Sequence, residues 1–166
     1  MAQTLDASVG EALSKDTLAA EAACRDVILA FIDCTDGFEG RRPRDIPQLF
    51  TDDCIYVTTA RNPNGETLHG RAEVATYLED REAYIVSQRF RHVVTNLHFT
   101  LDDPTHASTR TTLTTFALSD PQPFLVNCLQ ELRDSFVLLD GIWKIAKREY
   151  RDLARRDTNR PQIASG

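Results

Sequence analysis

Two residues far apart in the chain, Asp36 and His92, are of the types that general acid–base chemistry requires. An imidazole with an unperturbed pKa of about 6.5 exchanges its proton near neutrality. A carboxylate bonded to one ring nitrogen fixes the tautomer and stabilises the imidazolium formed when the other nitrogen takes a proton. Such a base removes a proton beside a carbonyl or a leaving group, an effect worth about 10²–10⁴-fold in rate. His92 stands near the start of Phe90-Arg91-His92-Val93-Val94-Thr95-Asn96-Leu97-His98-Phe99, a stretch rich in β-branched and aromatic residues that reads as a strand. Strict alternation puts His92, Val94, Asn96 and His98 on one face and Val93, Thr95, Leu97 and Phe99 on the other. Asp36 closes an amphipathic helical stretch upstream. The plain alternative is that Asp36 caps its helix or pairs with Arg41, while His92 is a satisfied core histidine.

Asp134 is the next carboxylate of interest. It shares a strand face with Leu132, Phe136 and Leu138, and a lone carboxylate in that company is partnered or has a raised pKa. If that face lines a pocket, Asp134 orients a substrate or acts as an acid; a register-shifting bulge turns it to water instead. Phe31, Phe50, Tyr56 and Phe90, with Thr115, Phe136, Leu138 and Trp143, are candidate pocket lining, although a core needs most of them in any case. His98 lies about 20 Å along the strand from His92 at roughly 3.3 Å per residue, too far for the same site. It reads as surface or interface, and His69 and His106 fall in or beside turns. No carboxylate stands at metal-ligand spacing from these histidines, so no metal is expected. Arg91 reads as a surface residue, with steering of an anion at a pocket mouth as its alternative.

The bulk properties exclude several function classes. At 166 residues the chain suits one domain with a full core. A net charge of −6 argues against nucleic acid, whose phosphates want a basic face. The run Lys144, Lys147, Arg148, Arg151, Arg155, Arg156 and Arg160 is locally basic and reads as a solvated last strand and tail. Cys24, Cys34, Cys54 and Cys128 have no disulfide-framework or zinc spacing and read as small apolar groups. The N-terminus is polar and acidic, and no apolar run reaches the roughly 20 residues that span a bilayer. A cytoplasmic protein without a membrane partner is the expectation.

The elements that must position Asp36 and His92 follow from periodicity. Leu18, Ala22, Val27, Ile28, Phe31 and Ile32 form a helical stripe from Asp16 to about Asp36, with Asp16 available as N-cap and Gly37 as breaker. Residues 1–15 read as a mobile tail, 16–152 as the domain, and 153–166 as a second tail. Strands are predicted at 54–59, 66–69, 90–101, 107–118, 127–139 and 142–148, with a helix opening at Gly70 and a hairpin at Asp140-Gly141. Helices followed by hairpin-linked strands make an α+β order. A strongly curved, mixed or antiparallel sheet wrapped around the helices forms a cone with a central pocket, a common seat for small molecules.

Five segments occur in an order that resembles a known family: the helix ending at Asp36, Phe-Thr-Asp-Asp-Cys-Ile-Tyr (50–56), Gly-Arg-Ala-Glu-Val (70–74), Arg-His-Val-Val-Thr-Asn (91–96) and Asp-Gly-Ile-Trp-Lys-Ile (140–145). Over roughly residues 16–152 the chain resembles the SnoaL-like branch of the NTF2-like superfamily. It looks most similar to the part of that branch holding scytalone dehydratase, bile-acid dehydratase and hexachlorocyclohexane dehydrochlorinase. The resemblance implies an Asp–His dyad falling on Asp36 and His92, no metal or organic cofactor, and a homo-oligomer, dimer or trimer. The implied activity is a dehydratase-like lyase or isomerase acting on an apolar cyclic molecule, aromatic, polyketide-like or steroid-like. Departures limit the transfer. An arginine of the dehydrochlorinase corresponds to Leu138. The first-strand tyrosine of the scytalone enzyme falls on Thr58, with Tyr56 close by. Its second histidine has no counterpart, since Thr115 or Ala117 occupies that region. The same fold also serves the non-catalytic β-subunit of aromatic-ring hydroxylating dioxygenases and small-molecule binding modules, which are the two alternatives.

Overall fold

A computed structural model describes residues 14–59, 65–118 and 125–155. The sequence also reads as turns at Asn62-Pro63-Asn64-Gly65 and Ser119-Asp120-Pro121-Gln122-Pro123, which, apart from Gly65, lie outside the described residues, as do most of both expected tails. Helix α1, Lys15–Asp36, is capped by Ser14 rather than Asp16: the Ser14 hydroxyl accepts from the Thr17 N–H at 3.1 Å. Asp16 falls in the first turn, where the helix dipole favours a negative charge. The helix buries Ala20, Cys24, Ile28, Phe31 and Ile32 along one stripe and stops at Gly37. With φ of +70°, Gly37 takes the left-handed cap conformation and donates its N–H to the Asp33 carbonyl. Short 3₁₀ segments at Phe38–Gly40 and Pro43–Leu49 lead into strand β1, Phe50–Thr58.

Strand β2, Glu66–His69, and helix α2, Gly70–Gln88, come next. Four long strands follow: β3 Arg91–Asp103, β4 His106–Ala117, β5 Leu125–Leu139 and β6 Ile142–Arg155. The sheet order is β2-β1-β6-β5-β4-β3, and of its neighbours only β1 and β6 run parallel. The sheet is therefore mixed, and the expected α+β cone is the fold. β6 continues through Arg155, past the expected domain end at 152.

Cross-strand partners share a sheet face, so the inner wall can be read rung by rung. The lowest rung holds Ala107, Phe136, Ile145 and Phe50, all buried. Above it lie Thr109, Asp134, Arg148 and Tyr56, then Thr111, Leu132 and Tyr150. Val94, Leu113, Gln130 and Asp152 follow, and His92, Thr115, Cys128 and Arg155 make the uppermost of these rungs.

One bulge corrects the expected alternation. The β3–β4 register slips between Thr95 and His98, and Asn96 takes φ of +52°. An extra residue in one strand turns all later side chains to the opposite face. His92 and Val94 thus share the inner side with Leu97, Phe99 and Leu101, which pack against the core, while His98 is exposed. No helix among the described residues is long and apolar enough to cross a membrane.

Candidate active site

Asp36 is the last residue of α1, and His92 is the second residue of the edge strand β3. A carboxylate at a helix C-terminus opposes the dipole, and here it is held by bonds from elsewhere in the chain. Asp36 Oδ1 lies 2.6 Å from His92 Nδ1, and Asp36 Oδ2 accepts the His92 backbone N–H at 3.0 Å. Arg91 Nη1 donates to the Asp36 carbonyl at 3.0 Å, tying the helix end to the strand. The side chains are nearly buried, with 10% of His92 and 6% of Asp36 exposed. A carboxylate only accepts, so this arrangement puts the ring proton on Nδ1 and leaves the Nε2 lone pair free.

His92 lines a cavity of about 810 Å³, counting its open mouth, between the inner sheet wall and the two helices. Asp36 is not part of that lining; it stands behind the ring. Phe31, Tyr56, Tyr77, Tyr84, Phe90 and Tyr150 give the lining six aromatic rings, and Phe50 backs them from the core. Ring contacts run from Phe31 through Phe50, Tyr56 and Tyr77, with Tyr150 against Tyr56, and from Tyr84 through Phe90 to His92, at centroid separations of 5.7–6.3 Å. Burial pushes the Tyr56 hydroxyl well above its ordinary pKa, aided by the neighbouring Tyr150 and Tyr77. Tyr150 is raised chiefly by burial too, against a downward pull from Arg148.

Of the residues named from sequence, Phe31, Tyr56, Phe90, His92 and Thr115 line this cavity. Phe50, Phe136, Leu138 and Trp143 do not; they lie toward the sheet's closed end, where Phe50 and Phe136 fill the lowest rung. Asp134 faces inward, but it neither opens into the cavity nor meets water. Arg148 grips it with two bonds of 2.7 Å, from Nε to Oδ1 and from Nη2 to Oδ2, and both side chains are 0% exposed. The Arg148 guanidinium lies 4.1 Å from the Phe31 ring centroid. Burial alone pulls its pKa down, but the Asp134 carboxylate outweighs this and holds it above its ordinary range. Arg148 and Arg155 thus depart from the expected solvated basic strand, one entirely buried and the other lining the cavity.

The cavity also contains residues that sequence reasoning missed, chiefly Tyr77, Arg81 and Tyr84 of α2 and Gln130, Tyr150 and Arg155 of the sheet. The helical ones had a signal: Tyr77, Arg81 and Tyr84 stand at i, i+4 and i+7, which is one helix face. The sheet residues had none beyond alternation. Arg91, the candidate for anion steering, is bonded to the Asp36 and Phe90 carbonyls and lies outside the cavity lining. All four cysteines are free and buried. No group of three or more His, Cys, Asp or Glu among the described residues is placed to hold a metal ion.

Several solved structures share this fold. A candidate scytalone dehydratase from Novosphingobium aromaticivorans superposes with a TM-score of 0.71 at 20% identity, over 90% of this chain and 94% of that one. The hexachlorocyclohexane dehydrochlorinase of Novosphingobium barchaimii gives 0.67 at 15% identity, over 85% and 91%. The β subunit of a candidate aromatic-ring-hydroxylating dioxygenase from N. aromaticivorans gives 0.69 at 18% identity, over 84% and 92%. At such identities the likeness speaks for the fold alone. No curated protein sequence matches the chain significantly. The SnoaL-like domain model, however, matches residues 16–149, nearly all of the described fold, and the chain belongs to the SnoaL-like family.

Proposed function

We propose that this protein is a cofactor-independent lyase or isomerase, dehydratase-like, acting on an apolar cyclic small molecule. The 2.6 Å contact between Asp36 and His92 Nδ1 carries this reading, because it leaves Nε2 as the available base on a residue that lines an aromatic cavity. In a dehydration, Nε2 takes a proton from a carbon beside a carbonyl, and the C–H electron pair forms the new double bond. The C–O bond on the next carbon breaks, and the departing hydroxide takes the imidazolium proton to leave as water. His92 is then neutral again, with protons and electrons balanced. In an isomerisation the same proton returns to a different carbon. Asp36 stabilises the imidazolium in both cases.

The dioxygenase β subunit has the same fold at a similar score, so fold alone does not separate an enzyme from an assembly subunit. Support for the enzyme comes from the dyad's geometry. The test uses cyclic β-hydroxyketones, with formation of the conjugated enone followed by ultraviolet absorbance. His92→Gln and Asp36→Asn are each expected to lower kcat/KM by about 10²–10⁴-fold. In parallel, ¹⁵N NMR is expected to find the Nδ1–H tautomer of His92 in the native protein and to lose it in Asp36→Asn. Turnover indifferent to His92, or a ring tautomer unchanged in Asp36→Asn, would sink the mechanism. Intact binding without turnover would favour a binding module.

A further inference from the structure

The cavity's charge is one-sided. Among the described residues that line it, the fixed charges are those of Arg81 and Arg155, and there is no aspartate or glutamate. This contrasts with a chain whose net charge is −6. The two arginines are not equivalent. Arg155 is already satisfied: Nε donates to Asp152 Oδ2 at 2.8 Å, and Nη2 reaches Asp152 Oδ1 at 2.9 Å and Thr59 Oγ1 at 3.1 Å. Arg81 has no carboxylate partner among the described residues. Its guanidinium carbon lies instead over two rings, 5.3 Å from the Tyr84 centroid and 5.5 Å from that of Tyr77. Both rings line the same cavity, and Tyr84 leads through Phe90 to His92.

A cation–π contact spends none of the guanidinium's N–H groups, so its donor fork stays available, and that fork matches a carboxylate. Contact with two rings also reduces the rotamer entropy that a long side chain loses on gripping a ligand. We propose that Arg81 is an anion-recognition residue, and that the substrate is a cyclic or aromatic acid whose carboxylate docks on Arg81 while its ring lies against the aromatic wall leading to His92. This rests on the cavity being the substrate site and adds an acidic group to a substrate described so far only as apolar and cyclic. The free fork, and not merely the positive charge, assigns the role to Arg81 over Arg155.

Binding, rather than turnover, tests this independently of the proton chemistry. Naphthoate and its neutral analogue naphthamide are titrated calorimetrically into the full-length protein, with the His92 ring signals recorded by NMR. The native protein is expected to prefer naphthoate by about tenfold or more. The preference should shrink as NaCl rises from about 50 to about 500 mM. It should vanish in Arg81→Met, which keeps an apolar stem against the tyrosines, return in part in Arg81→Lys, and persist in Arg155→Met. Equal affinity for the two probes, with His92 signals shifted by both, overturns the anion site while leaving the cavity as the substrate site. A preference that survives Arg81→Met also overturns it. Failure of either probe to bind, or binding that leaves His92 unperturbed, counts against both this inference and the cavity assignment.

Discussion

Removing the carboxylate of Asp134 should be among the most damaging single changes available to this fold. Arg148 lies beneath the cavity with no exposed surface, so neither solvent nor salt screens it. Its Nη1 has no hydrogen-bond partner among the described residues, and its face lies over Phe31. In Asp134→Leu it loses two bonds of 2.7 Å and stays buried without a counter-charge. Breaking a buried pair from one side costs about 3–5 kcal/mol, against a typical domain stability of about 5–15 kcal/mol. With a urea slope near 2 kcal/mol per molar, the unfolding midpoint should fall by roughly 2 M. The double change Asp134→Leu with Arg148→Met removes both charges and both desolvation costs. It should return to within about 1–2 kcal/mol of the native protein. Urea unfolding followed by circular dichroism, run as a double-mutant cycle, measures all four proteins. A single change costing less than about 1 kcal/mol, or a double variant no better than the worse single one, refutes the argument.

Other consequences follow from the cavity wall and the bulge. Tyr56 and Tyr150 have raised pKa values in the folded state, chiefly through burial, so the stability tied to their neutral hydroxyls is fully present below the unfolded tyrosine pKa near 10. It is lost as pH rises above that value, where the unfolded chain ionises first. Urea midpoints should hold to about pH 9.5 and decline beyond 10, less steeply in Tyr56→Phe; parallel curves for the two proteins would contradict this. At the β3 bulge, Asn96 has φ of +52°, so Asn96→Gly should change stability by less than about 1 kcal/mol. Asn96→Val, with a β-branched residue at positive φ, should cost about 1–3 kcal/mol by thermal unfolding. Deleting Asn96 should do far more harm, because Leu97, Phe99 and Leu101 would turn outward.

Much of the molecule is legible in its amino-acid sequence. The stripe ending at Ile32 and the breaker at Gly37 located α1 and put Asp36 at its end. Alternation in β5 put Asp134 and Phe136 on one face but left open whether that face met water; both are inside. What alternation could not provide was height along the strand. It says which face a residue takes, not whether its rung is filled by packing or left open. Phe50 and Phe136 went to a filled rung, while Thr115 and Gln130 went to the open end. Asn96 could not be read as a bulge, because a residue that tolerates positive φ does not have to adopt it.

The sequence by itself determined the order of the elements, the faces of the helices, and an aspartate and a histidine at the ends of two of them. These are local matters, settled by side-chain period and by the conformational limits of glycine. Only the tertiary structure decided that Asp36 and His92, 56 positions apart, meet at 2.6 Å, and that Asp134 is taken up by Arg148. Each depends on register between strands and on how helices seat in a curved sheet. Those are set by the packing of the whole core at once, so no local pattern encodes them.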